Sequence, residues 1–148
     1  MSTLRRAIET AEWFHKGQTR IGGDPFITHP QAVAEALSDA GAGSRILQIA
    51  WLHDVVEDTP CTLQFLRFEG FSPLVLDAID ALTRREGEVY ADYIGRVGQH
   101  PEARAIKPFD LRHNLSTLGE LSVARGASQR KRYERALADL ERPLSYAA

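Results

Sequence analysis

The stretch 44–58, "SRILQIAWLHDVVED", constrains this chain's fold most. At 100° per residue, Ile46, Ile49 and Ala50 fall on one side of a helix and Leu52, Val55 and Val56 on the other. A helix that is apolar nearly all round has no face for water and is expected to be buried among others. The rest of the chain can supply those neighbours. Residues 3–16 carry Leu4, Ala7, Ile8, Ala11 and Phe14 at helical spacing behind Thr3 as a cap, and 31–40 repeat the period through Val33, Ala36 and Leu37. Between them, "GQTRIGGDPFITHP" holds too many glycines and prolines for a helix interior and predicts a loop. Ser44 is the expected cap of a third helix running to about Asp58, which Pro60 stops.

Beyond Cys61, "TLQFLRFEG" predicts a short helix. Residues 72–84 predict another, with Ser72 as cap and Pro73 in the first turn. "YADYIGRVGQ", 107–123 and a charged 128–141 complete the set. No period-2 run of β-branched residues marks a strand. The expected fold is therefore all-α, one compact domain over 1–148 of roughly seven helices.

Composition removes several classes of function. Eighteen Lys+Arg against 20 Asp+Glu leave a formal charge of -2, so no global excess of basic charge marks a nucleic-acid binder. A lone cysteine excludes an intramolecular disulfide and a multi-cysteine zinc site. With neither a signal-like h-region nor an 18-residue apolar run, the expected setting is the cytoplasm, away from membranes.

Chemistry concentrates in "HDVVED". On one continuous helix, His53, Asp54, Glu57 and Asp58 share a single sector of about 140°. Carboxylates at the end of a buried helix are costly unless paired or bound to a metal, although a helix end surfacing into water explains them equally well. Two further candidates lie elsewhere: His29, fixed by Pro30, and Asp110 in "KPFDLRHN". Asp110, Asn114 and Thr117 form a polar stripe on an otherwise apolar helix, beside Leu111, Leu115 and Leu118.

Four segments, "GQTRIGGDPFITHPQAVAEAL", "AWLHDVVEDT", "LTRREGEVYADYIGRV" and "IKPFDLRHNL", resemble in order and spacing the hydrolase domain of the RelA/SpoT stringent-response proteins, a branch of the HD phosphohydrolase superfamily. The resemblance spans about residues 7–140 and is nearest to the small free-standing alarmone hydrolases. It implies an all-α, manganese-dependent enzyme that removes the 3'-diphosphate of guanosine tetra- or pentaphosphate as pyrophosphate, releasing GDP or GTP. By the same resemblance His29, His53, Asp54 and Asp110 are metal ligands, a set that suits Mn²⁺ while leaving other divalent metals open. Glu57 and Asp58 become the catalytic pair acting on water. Arg20 becomes a nucleotide contact, Asn114 and Thr117 contact ribose and base, and Tyr133 with Arg130 faces the phosphates. The implied partner is a small nucleotide, with self-association left open.

Two departures stand out. Ile21 occupies a position that is commonly lysine in the family, and Pro108–Phe109 replaces a small or aliphatic pair, a change that can shift Asp110 or kink its helix. These leave room for a metal phosphohydrolase acting on another nucleotide, such as the 2'-phosphate of NADPH or a 3'-nucleotide. A non-catalytic nucleotide-binding domain is a third reading. His15, His100 and His113 find no place in the pattern.

Overall fold

The computed structural model describes residues 3–118 and 123–142. Among these the chain forms nine helices: α1 (Leu4–Phe14), α2 (Thr28–Asp39), α3 (Ser44–Leu52), α4 (Val55–Asp58), α5 (Leu63–Phe68), α6 (Pro73–Leu82), α7 (Tyr90–Gly98), α8 (Pro101–Ser116) and α9 (Val123–Glu141). The described residues contain no strand, only an isolated bridge between Thr19 and Pro25. The all-α expectation is met.

As its sequence demands, α3 lies at the centre. It packs against α1, α2, α6 and α8, and Ile49, Ala50 and Leu52 are fully buried. Around it, Ala7 and Ala11 of α1, Val33 and Leu37 of α2, Ile79 of α6 and Ile106 and Leu111 of α8 close one continuous core. Helix α9 lies on α7 and α8 and seals them with Ala136 and Leu140.

Several helix starts follow their local chemistry. Thr3 Oγ1 accepts from the Arg6 amide, Thr62 Oγ1 from Phe65, and Ser72 Oγ from Val75 with Pro73 in the first turn. Ser44, the expected cap of α3, is instead its first helical residue behind Gly43, and its hydroxyl accepts from Gln48 Nε2. Helix α8 begins six residues before the expected 107, at Pro101, where His100 Nδ1 accepts from the Ala103 amide. It runs through Pro108 as one helix but ends at Ser116, short of the expected 123: Thr117 turns out of helical geometry at φ −104°, ψ 1°, and α9 already starts at Val123, before the expected 128.

The largest departure is at the opening of the acidic motif. The expected helix 44–58 divides at His53–Asp54 into α3 and α4. The cause is local: His53 Nδ1 lies 2.6 Å from the Ala50 carbonyl, the acceptor that the Asp54 amide would use in a continuing helix. With that acceptor taken, Asp54 flattens to φ −102°, ψ −3°, and a single turn of helix restarts at Val55.

Two loops frame the site. In residues 18–26 the Phe26 amide donates to Gln18 O (2.8 Å), the Arg20 amide to Asp24 O (2.8 Å) and the Gly23 amide to Arg20 O (2.8 Å), a tight excursion whose turn uses Gly23 at φ +93°. The second loop, 83–89, is clamped by Arg96. Its guanidinium donates to the carbonyls of Ala81 (3.1 Å) and Thr83 (2.9 Å) and to both carboxylate oxygens of Glu88 (3.0 and 3.1 Å). Replacing Arg96 with Ala is expected to cost about 1–3 kcal/mol in urea unfolding. It should also speed trypsin cleavage after Arg84 and Arg85, which the clamp holds; unchanged cleavage would show that the loop keeps its shape without Arg96.

Candidate metal centre

Four side chains from three parts of the fold meet under the cavity floor. Helix α2 delivers His29 from its first turn, the α3–α4 break delivers His53 and Asp54, and α8 delivers Asp110. One ligand atom of each lies within 4.8 Å of the others. His29 Nε2 is 2.7 Å from Asp110 Oδ1 and 3.4 Å from Asp54 Oδ2; His53 Nε2 is 3.2 and 3.1 Å from the same two atoms. His29, His53 and Asp110 are buried, and Asp54 is nearly so.

The donor set fits a divalent cation on an observation independent of any resemblance. A carbonyl can only accept, so the 2.6 Å contact to Ala50 O places a proton on His53 Nδ1. Neutral His53 therefore aims an Nε2 lone pair at two carboxylates, an arrangement that needs a positive charge between them. Without a metal a proton takes that place: burial disfavours charge on His53, but Asp54 and Asp110 outweigh it and hold its pKa well above the ordinary value. Two imidazoles and two carboxylates suit a borderline-to-hard divalent ion.

Asp110 is also held from behind. Lys107, one turn earlier on α8 and itself buried, donates from Nζ to Asp110 Oδ2 at 2.6 Å and lies 5.1 Å from the centre of the Tyr93 ring. Burial alone would raise the Asp110 carboxyl, but the Lys107 ammonium and the two histidines hold it well below the usual carboxylate range.

Asp54 belongs to a second acidic group with Glu57 and Asp58, whose oxygens also gather within 4.8 Å. The break in the helix therefore leaves the four groups of the motif adjacent, though not on one continuous helical face. Glu57 Oε1 accepts the Arg84 amide at 2.8 Å, which ties α4 to loop 83–89. The Asp58 side chain is exposed at the rim by surface area yet sits inside the concave mouth. Lost hydration there, then the Asp54 and Glu57 charges, push it up to about 7. A cation in the neighbouring seat would pull it back down.

Above these groups opens a cavity of about 940 Å³. Its lining brings the carboxylates Asp54, Glu57 and Asp58 together with Arg84, Tyr90, Arg132 and Tyr133. The Arg84 and Arg132 guanidiniums lie 5.4 and 4.9 Å from the centre of the Tyr90 ring, and the buried Tyr90 hydroxyl has no hydrogen-bond partner among the described residues. A smaller hollow of about 260 Å³ adjoins, lined by Arg20, Ile21, Asn114, Thr117 and Tyr133 among others.

The expected nucleotide contacts fall unevenly. Arg20 reaches across from its loop and donates from Nη2 to Asn114 Oδ1 (3.0 Å) and Thr117 Oγ1 (3.2 Å), so these three form one cluster. Tyr133 lines both hollows. Arg130 lines neither; Arg132, equally exposed, lines the larger one with Gln129 and Tyr133. Three contributors had no place in the sequence pattern, namely Lys107, Arg132 and His113. His113 lies between Arg20 Nη1 (3.1 Å) and His29 Nδ1 (2.7 Å). Burial, then the neighbouring His29 and Arg20, lower its pKa to about 4. The signal for Lys107 and His113 was their i±3 spacing around Asp110 on one helix.

No protein-family model matches the chain. It is 34% identical over its whole length to a probable GTP pyrophosphokinase of Mycobacterium leprae, and 35% identical to the bifunctional (p)ppGpp synthase/hydrolase RelA of Mycobacterium tuberculosis. It is 32% identical, over 97% of its length, to the bifunctional (p)ppGpp synthase/hydrolase SpoT of Escherichia coli. The chain spans about a fifth of the length of these relatives. A solved metazoan ortholog of SpoT, which hydrolyses ppGpp and plays a role in starvation responses, has the same fold with a TM-score of 0.83, at 23% identity over 97% of this chain and 87% of that one. The chain therefore matches, over nearly its whole length, one segment of the RelA/SpoT (p)ppGpp synthase/hydrolases, and it has the all-helical fold of the metazoan SpoT ortholog.

Proposed function

We propose that this protein is a metal-dependent hydrolase of guanosine tetra- and pentaphosphate, cleaving the 3'-diphosphate to release pyrophosphate. The observation that carries this reading is a single cavity that joins a four-ligand cation seat and two further carboxylates to arginines and tyrosines. The curated names of relatives matched over nearly the whole chain support the substrate class.

His29, His53, Asp54 and Asp110 would hold the ion, with Mn²⁺ the choice for a mixed imidazole and carboxylate set. When bound, it supplies Lewis acidity toward a phosphate and toward water. The chain's own groups do the rest. Glu57 and Asp58 accept the proton of the attacking water, and the Arg84 amide keeps the Glu57 carboxylate aimed. Arg132 and Arg84, which line the same cavity, offer positive charge to the phosphates, and the Tyr90 hydroxyl, without a partner among the described residues, is available to a polar ligand atom. Arg20, with Asn114 and Thr117, lines the smaller hollow as a seat for the base and ribose. Arg132 takes the phosphate-facing role that the sequence alone assigns to Arg130.

A second reading, removal of a phosphate from a different nucleotide, draws on Ile21. This side chain is 70% exposed and lies on the lip of the smaller hollow, bringing no charge to it.

Manganese-loaded protein incubated with guanosine tetraphosphate, NADPH and 3'-nucleotides is expected to yield pyrophosphate and GDP from the first alone, resolved by ion-exchange chromatography. Orthophosphate from another substrate would transfer the assignment to the second reading. Asp54→Ala and Asp110→Ala should lose stoichiometric Mn²⁺ in calorimetric titration; full occupancy in both would refute the ligand set. Glu57→Gln and Asp58→Asn should retain the metal while kcat falls about 10²–10⁴-fold, and a rate within a factor of two of the parent would remove that carboxylate from the proton-transfer role.

A further inference from the structure

The two histidines of the cation seat are oriented by different devices. His53 has its Nδ1 proton fixed by the Ala50 carbonyl, a backbone group that cannot change role. His29 has no such carbonyl. Its Nδ1 faces another imidazole nitrogen, His113 Nδ1, at 2.7 Å, with ring centroids 4.9 Å apart and an interplanar angle of 33°, an edge-to-edge rather than stacked approach. Two nitrogens at that distance require one proton between them, and two neutral imidazoles alone do not decide which carries it.

The decision comes from Arg20. Its Nη1 lies 3.1 Å from the same His113 Nδ1, and a guanidinium can only donate. His113 Nδ1 must therefore be an acceptor, and its ring proton sits on Nε2. His29 Nδ1 must then be the donor. A neutral His29 is left with its lone pair on Nε2, the atom 2.7 Å from Asp110 Oδ1 and 3.4 Å from Asp54 Oδ2. Arg20 is itself braced, since its Nη2 donates to Asn114 and Thr117.

We infer that Arg20 and His113 are positioning residues for the metal centre: the relay Arg20–His113–His29 fixes the tautomer of His29 that presents Nε2 to the cation. This rests on reading the four-residue group as a divalent metal seat, and extends it to a loop residue that does not touch that seat. The loop arginine then serves two ends, lining the smaller hollow and setting a ligand on the far side of His113.

The test is Mn²⁺ affinity of the full chain by calorimetry and by electron paramagnetic resonance of the free ion. His113→Ala removes the acceptor and is expected to weaken Mn²⁺ about 10–100-fold, the usual effect of losing an outer partner of a ligating histidine. His113→Asn places an oxygen acceptor where Nδ1 stood and should bind within about threefold of the parent. Arg20→Ala, whose side chain is remote from the ion, should weaken Mn²⁺ by about 3–10-fold, toward the lower end of outer-shell effects. A merely structural role would not be rescued by Asn, and the metal-free unfolding midpoint of each variant reports folding separately. Should His113→Ala prove unable to fold, Arg20→Ala on its loop still decides. Parent-like affinity in Arg20→Ala, or an Asn variant as weak as Ala, would overturn the relay. A parent protein that binds neither Mn²⁺ nor Zn²⁺ would instead overturn the metal seat, and the relay with it.

Discussion

The Asp110 carboxylate is the interaction on which the architecture turns. One oxygen is shared by His29 of α2 and His53 at the end of α3, and the other is held by Lys107 on its own helix. A buried carboxylate without partners is strongly disfavoured. Here three nitrogens from three segments converge on it, Lys107 by direct donation and the two histidines through the proton or cation they share with it, and this convergence fixes how α2, α3 and α8 approach one another around the core. The same demand explains the break at His53. Bringing that ring to Asp110 while its other nitrogen takes the Ala50 carbonyl ends α3 and turns Asp54 into the same pocket.

Around this pin the two loops divide the work. Loop 83–89, clamped by Arg96, presents an amide to Glu57 and thereby aims an acid that its one-turn helix could not hold alone. Loop 18–26 carries Arg20 into the polar stripe of α8. Each loop is tied to the framework by directional bonds from an arginine, four from Arg96 and three from Arg20 among the described residues.

Much of this was legible in the sequence. An all-round apolar period at 44–52 identified the central helix, caps and prolines identified most of the others, and "HDVVED" with His29 and Asp110 marked the site. What escaped was decided by side chain to backbone competition or by tertiary pairing. The helix break depends on an imidazole taking a carbonyl, which periodicity does not register. His113 and Lys107 were unremarkable one at a time; only the arrival of His29 from α2 and the burial of Asp110 give them work. On α9, Arg132 rather than Arg130 lines the larger cavity because it shares a face with Gln129, Tyr133 and Ala136, which the contact with α7 and α8 selects.

Lys107 has a consequence for the order of assembly. Two carboxylates and one ammonium leave a single negative charge, which the proton held on His53 balances. A divalent cation displacing that proton would leave one net positive charge in a low-dielectric floor, where Coulomb forces act with little screening. The floor would thus draw in an anion only once the cation is in place. Without the lysine the loaded centre would be neutral, and the floor would attract no anion at all.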